Sequence, residues 1–330
     1  MDTAYPNSRS SAWPAHARIY VAGHRGMVGS ALVRRLRSRG YANLILRTRQ
    51  ELDLADQAAV NRFMERAEPD YVFLAAARVG GIAANNTYRG EFIYQNLVVQ
   101  TNVIHAAMRA GVKRLMFLGS SCIYPRDCPQ PIREEYLLTG PLELTNEPYA
   151  VAKIAGLKMC EAYNAQYGTR YVSIMPTNLY GPNDNYDPLT AHALPALLRK
   201  AHLAKEEGAD SLTVWGSGRP RREFLHVDDM VDACVLLMER GIGDGVYNIG
   251  SGTDVTIKEL AETIARVVGF EGRLQFDASQ PDGTPRKLLD IGRLRALGWR
   301  PRLGLEEGIR LTYRDCMQNG VFGLAEAGHA

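Results

Sequence analysis

The sequence predicts an α/β protein, a doubly wound parallel sheet joined to a smaller mixed α/β region. Three observations carry this. Apolar runs at residues 18–22, 71–77, 114–119 and 171–175 alternate with stretches of helical periodicity. Runs that are apolar throughout suit strands covered on both faces, and strand–helix alternation suits a parallel sheet. Glycines 23, 26 and 29 fall between the first strand and the first helix. After about residue 183 the alternation gives way to a mixed pattern.

In order, residues 18–22 are a short strand and 23–29 a glycine loop. Residues 30–39 then carry Leu32, Val33 and Leu36 at helical spacing and stop at Gly40. Glycines let a backbone approach a pyrophosphate, and a helix N-terminus carries partial positive charge. The second strand, 44–47, ends in Arg47-Thr48-Arg49. An acid at that point would meet a ribose 2′-hydroxyl, and an arginine a 2′-phosphate. Arg25 and Arg49 therefore read as a phosphate clamp, made of guanidinium forks, and NADP(H) as the preferred dinucleotide. Glu51 and Asp53 remain alternatives for a ribose role.

Residues 57–66 read as a helix, 71–77 as a strand, 92–110 as a long helix and 114–119 as a buried strand. That strand delivers Ser120, Ser121 and Cys122 to the carboxyl edge of the sheet, where ligands bind in such folds. A helix follows Pro148, which a first turn tolerates. It places Tyr149 and Lys153 four apart on one face. A nearby ammonium favours the phenolate, so the pair reads as an acid/base couple. The strand at 171–175 ends in Pro176-Thr177-Asn178-Leu179. Beyond it, 192–204 and 256–268 read as helices, as does the stretch from 229 through Glu239. Residues 212–215, 246–249 and 274–276 read as strands. The expected division is a leader at 1–17, a dinucleotide-binding domain at 18–185, a mainly substrate-binding region at 186–320 and a tail at 321–330. Residues 226–250 are expected to return to the first domain.

The totals narrow the function. The chain has 330 residues and a net charge of +3, without a basic stripe for nucleic acid. No apolar run approaches the roughly 20 residues of a membrane helix. Five cysteines without a Cys-x-x-Cys pair indicate neither a disulfide framework nor a metal site. A reducing cytoplasm is the expected setting.

Together these segments resemble the extended short-chain dehydrogenase/reductase family, from about Arg18 to about Cys316. The resemblance lies in Gly-His-Arg-Gly-Met-Val-Gly at 23–29, Gly-Ser-Ser-Cys-Ile-Tyr-Pro at 119–125 and Asn-Glu-Pro-Tyr-Ala at 146–150. It extends to Pro-Thr-Asn-Leu-Tyr-Gly-Pro at 176–182 and Pro-Asp-Gly-Thr-Pro-Arg-Lys at 281–287. The glycine loop and Tyr-x-x-x-Lys are shared across the superfamily; the rest are more particular. The resemblance implies a Rossmann fold and NADP(H) bound by Gly23, His24, Arg25, Gly26, Met27, Val28, Gly29, Arg49, Asp53 and Leu54. Leu118, Gly119, Ser121, Lys153, Pro176, Thr177, Asn178, Leu179 and His192 complete that expected site. It further implies a homodimer acting on a GDP-sugar, by NADPH-dependent 3,5-epimerisation and 4-keto reduction of GDP-4-keto-6-deoxy-D-mannose.

The expected chemistry divides between two sets of groups. Tyr149, kept acidic by Lys153, protonates the oxygen at C4, and Ser120 hydrogen-bonds the same oxygen; Ser121 stays an alternative to Ser120. A 4-ketone acidifies the protons at C3 and C5. Cys122 is the expected base and His192 the proton donor on the opposite face. Lys200, Trp215, Arg222, Asp282 and Lys287 are expected to hold the nucleotide sugar. Lys200 stands where the family pattern has arginine, and so lacks the bidentate fork. A 4,6-dehydratase of this family carries Asp-Glu where Ser121-Cys122 stand here, and a 4-epimerase needs no Cys122 with His192. A cofactor sensor without activity would be free to lose Tyr149, Lys153 or Ser120, and all three are present.

Overall fold

The computed structural model describes residues 13–14, 16–188, 190–280 and 282–322. The chain runs β1 (Ile19–Ala22), α1 (Met27–Ser38), β2 (Leu44–Ile45), α2 (Gln57–Ala67), β3 (Tyr71–Leu74), α3 (Ile82–Thr87), α4 (Arg89–Arg109) and β4 (Arg114–Leu118). It continues through α5 (Glu147–Tyr167), β5 (Tyr171–Pro176), β6 (Asn178–Tyr180), α6 (Ala193–Glu206), β7 (Ser211–Trp215), β8 (Arg221–Arg222), β9 (Phe224–His226) and α7 (Val227–Glu239). The last part comprises β10 (Val246–Ile249), β11 (Val255–Thr256), α8 (Ile257–Val268), β12 (Arg273–Asp277), β13 (Arg286–Lys287), α9 (Gly292–Ala296) and α10 (Leu305–Gln318).

Six strands form one sheet in the order β10-β5-β4-β3-β1-β2, and every pairing is parallel. The order reverses between β1 and β3, and that is where ligands sit in open α/β sheets. Helices α1 and α7 pack together, as do α4 and α5. The α4–α5 approach is close, with Gln100 Nε2 donating to the Ala152 carbonyl at 2.5 Å. The expected doubly wound sheet is thus present, and β10 pairs with β5 at its edge.

A second core gathers Leu194, Leu198, Leu212, Val214, Leu260, Ile264 and Ile309 from α6, β7, α8 and α10. Short pairings tie this region together: β7 with β12, β6 with β9, and β11-β8-β13. Thr256 caps α8 with a full capping box to Glu259, so the helix starts one residue later than its periodicity suggests.

The expected leader and tail need correction at their inner ends. Residues 1–12 and 323–330 lie outside the described residues. Trp13, however, is buried and stacked on Tyr71, with ring centroids 3.9 Å apart. Phe322 is buried edge-on against Tyr186. A large aromatic side chain brings enough apolar area to anchor a terminus that its polar neighbours would leave in water.

Candidate active site

The glycine loop makes the first wall. Gly23 has φ +82°, and a Cβ there would come within 2.8 Å of the Ala76 backbone. A Cβ on Gly29 would run into the Gly23 carbonyl oxygen. The loop can therefore pass close under a diphosphate only with glycines at these points. No acid stands in the first turn of α1, so its N-terminal field is open to an anion. His24, inside the loop, keeps Nδ1 buried without a partner.

Beyond it a cleft of about 670 Å³ opens, lined by Gly23, Arg49, Asp53, Leu54, Ala76 and Arg78 among others. Glu51 is turned back onto its own loop, where the Thr48 amide donates to Oε2 at 2.7 Å. Hydrogen bonds from Thr48 hold its carboxyl below the usual range, and the Arg47 and Arg25 charges add to this. Asp53 Oδ1 accepts from the Ala55 amide at 3.0 Å. Leu54 is fixed by Asn102, which donates to its carbonyl at 3.0 Å. Met27 and Val28 are half-buried against the core. Thr177 and Asn178 both donate to the Glu223 carbonyl, at 3.1 and 2.9 Å, so the segment after β5 is tied to β9. Pro176 ends β5 and Leu179 packs on the core beside it.

The reactive groups meet at the carboxyl end of β4. Ser120 caps a 3₁₀ turn over Ser121–Ile123, its Oγ accepting from the Cys122 amide at 3.2 Å. Ser120 also lies close enough to Tyr149 to offset part of the rise of its phenol, whereas Ser121 is buried. That favours Ser120 of the two serines. Gly119 donates its N–H to the Ile174 carbonyl at 2.8 Å, joining this edge to β5. Tyr149 packs with Phe92 edge-on at 6.3 Å, and Cys122 lies against the same cluster.

Lys153 is buried, donates to the Leu118 carbonyl at 2.8 Å and stands 5.8 Å from the Tyr149 ring centroid. The sequence suggests that its ammonium lowers the tyrosine. In the structure burial dominates both groups. It pushes the Tyr149 phenol up, and it pushes Lys153 down to about 7. A phenol that keeps its proton is suited to donate it.

Two side chains flank the Cys122 sulfur. Asn146 Nδ2 donates to Sγ at 3.3 Å, and Lys287 Nζ lies 3.7 Å away. The expectation for Lys287 is a contact with the ligand; the structure sets it beside the thiol. His192 is the residue before α6 and is exposed toward solvent. Neighbouring protein partly desolvates its imidazole and holds it below the ordinary histidine value. The Gly81 amide donates to the Thr190 carbonyl at 2.9 Å, which ties the segment leading into His192 to the loop after β3.

The expected sugar-nucleotide residues fall into small groups. Lys200 Nζ lies 4.5 Å from the Trp215 ring centroid, and that ring is 59% exposed. Arg222 on β8 pairs in register with Lys287 on β13. Asp282 accepts from the Ser217 amide at 2.6 Å and from Ser217 Oγ at 2.7 Å, bridging two loops, and acts electrostatically on Arg222.

Sequence reasoning missed Asn146 and Arg78. Arg78 follows the carboxyl end of β3, so the rule that selected Ser120 after β4 would also have selected it. Its guanidinium lies over the Phe92 ring at 5.3 Å and pairs with Glu91 at 2.8 Å.

The chain is similar to several known proteins. The chain is 58% identical over 303 residues to GDP-L-fucose synthase 1 of Arabidopsis thaliana, covering 92% of this chain and 94% of that one. It is 55% identical over 313 residues to GDP-L-fucose synthase of Escherichia coli, covering 92% and 97%. Among solved structures, a Campylobacter jejuni GDP-mannoheptose C4 reductase with NADP bound is 42% identical, with TM-score 0.86 over 92% of this chain and 99% of that one. A GDP-L-fucose synthetase of Naegleria fowleri bound to NADP is 26% identical, with TM-score 0.85 over 94% and 96%. The model of the NAD dependent epimerase/dehydratase family matches residues 19–250. On these grounds the chain belongs to the NAD dependent epimerase/dehydratase family.

Proposed function

We propose that this protein converts GDP-4-keto-6-deoxy-D-mannose to GDP-L-fucose, epimerising C3 and C5 and then reducing C4 with NADPH. The observation that carries this is the meeting of two acid/base sets at one strand end: Ser120 with Tyr149, and Cys122 flanked by two donors. A simple reductase would need only the first. The GDP-L-fucose synthases at 55–58% identity support the same substrate.

The residues present fit NADP(H). Gly23 and Gly29 give the diphosphate its close approach, and the His24 Nδ1 without a partner faces the same loop. Arg25 and Arg49 take the 2′-phosphate. Lys153, Asp53, Leu54, Leu118, Thr177, Asn178 and Leu179 form the rest of the wall. When bound, the cofactor supplies the hydride that reduces C4. Tyr149 donates a proton to the C4 oxygen while Ser120 holds that oxygen in place. Before reduction Cys122 removes the protons at C3 and C5, and His192 returns a proton from the other face. Lys200, Trp215, Arg222 and Asp282 hold the GDP moiety. The division into a cofactor domain at 18–185 and a substrate region at 186–320 follows from the same reading. So does a homodimer, supported by exposed Tyr94 and Val151 on the paired helices α4 and α5, and a cytoplasmic setting. Among the described residues no helix is long and apolar enough to cross a membrane.

The test is exchange of the C3 and C5 protons with D₂O, read by NMR with NADP⁺ present. Cys122→Ser is expected to stop exchange, yet with NADPH to reduce the unepimerised ketone. Tyr149→Phe is expected to retain exchange and lose reduction by about 10²–10⁴-fold. Exchange at the wild-type rate in Cys122→Ser would make Cys122 a packing residue and place the base elsewhere.

A further inference from the structure

Resting on the reading of Cys122 as the base, we infer that Asn146 is a positioning residue for proton abstraction. Its amide N–H steadies negative charge on the Cys122 sulfur, and its Oδ1 receives a hydroxyl of the sugar. The two atoms facing Sγ, Asn146 Nδ2 at 3.3 Å and Lys287 Nζ at 3.7 Å, both point hydrogens at it. An amide NH2 and an ammonium are donors only, and a thiol sulfur accepts from them weakly while a thiolate accepts strongly. Hydrogen bonds to the charged form favour it.

The other end of the amide is the second observation. Asn146 Oδ1 is buried and has no hydrogen-bond partner. An orphaned buried acceptor is unfavourable unless a ligand meets it. It lies on the side chain that touches the proton-abstracting sulfur, three residues before Tyr149. A 4-keto-6-deoxy sugar held for attack at C3 keeps hydroxyls at C2 and C3, and a hydroxyl is the donor such an oxygen takes. Asn146 thereby serves both the base and the substrate, and the N-terminus of α5 sets it beside the proton donor for C4.

The experiment uses full-length enzyme with NADP⁺ bound, in wild type, Asn146→Ala and Asn146→Asp. Alkylation of Cys122 by iodoacetamide is followed against pH, with Cys122→Ser as the blank. C3 and C5 exchange in D₂O is followed over the same pH range. NADP⁺ binding reports that each variant is folded. In Asn146→Ala the alkylation midpoint is expected to rise by about a pH unit or more, and exchange below it to fall about tenfold or more and recover at high pH. Asn146→Asp, which loses the donor and adds a negative charge, should shift the midpoint further while leaving KM for the GDP-sugar nearer wild type than Ala does, because it keeps an acceptor oxygen. A purely structural loss would lower exchange equally at every pH. An unmoved or lowered alkylation midpoint in Asn146→Ala overturns the inference for the sulfur, and an equal rise in KM in both variants overturns it for the hydroxyl. If Cys122→Ser keeps exchanging, the base assignment fails instead, and the alkylation profile still decides what Asn146 does to the thiol.

Discussion

Asp184 offers a quantitative check on the electrostatics around the cleft. It lies in the loop between β6 and α6, where Oδ1 accepts from the Asn185 amide at 2.7 Å. Oδ2 is buried without a partner. Tyr186 and Cys316 stand near enough to feel its charge. Burial pushes the Asp184 carboxyl up from its ordinary 3.8 to about 7. A carboxyl raised in the folded state contributes stability that is fully present below about pH 4 and is lost as pH climbs toward 7. At about 1.36 kcal/mol per pH unit, the penalty on the wild type is about 1.5 kcal/mol at pH 5 and about 4 kcal/mol at pH 8. Asp184→Asn keeps the shape and an acceptor oxygen but cannot ionise. Urea unfolding of both proteins at about pH 5, 6, 7 and 8 cancels every group they share. The stability of the Asp184→Asn variant relative to wild type is expected to grow by about 2.5 kcal/mol across that range. A constant difference, or one that grows as pH falls, would refute the reasoning.

Two further outcomes are open to direct measurement. Arg49→Ala should lose about tenfold or more in kcat/KM for NADPH with little change for NADH, since a hydrogen bond to a charged group is worth about 1.5–3 kcal/mol; equal losses for both cofactors would remove the 2′-phosphate clamp. Glu223 is fully buried and accepts from the Gly252 amide at 2.6 Å and the Leu289 amide at 3.0 Å. Glu223→Ala leaves both amides unmet, about 1–3 kcal/mol each, and the urea midpoint should fall accordingly; an unchanged midpoint would mean that water replaces the carboxylate.

The parallel sheet was legible because its strands are apolar over four or more residues, long enough for pattern to show. Ile19–Ala22 and Tyr71–Leu74 are examples. The strand expected at 44–47 shrinks to Leu44–Ile45, whose register with β1 covers two residues only. The two-residue strands β8, β11 and β13 carry no period to read. In the site, Ser120, Cys122, Tyr149 and Lys153 were legible from spacing and position after a strand. Asn146 was not, because its role depends on the fold bringing it to a sulfur 24 residues earlier. Lys153 and Tyr149 do share one helix face, but spacing misjudges their protonation. Spacing says how near two groups stand and not how dry their surroundings are, and here dryness outweighs proximity.

The two cores are stitched together repeatedly. The backbone passes from one to the other five times: between Met175 and Tyr180, Phe224 and Leu225, Ile249 and Leu260, Phe270 and Leu289, and Trp299 and Ile309. A body joined at a single linker can be freed by one cut. Here a protease that nicks any one passage leaves four covalent bridges and both apolar interiors in place. The nicked molecule should migrate as one particle until denaturant separates the pieces. The same stitching means that a gene fragment ending before Tyr171 would lack two strands of the main sheet, so neither half of this enzyme is a portable cassette.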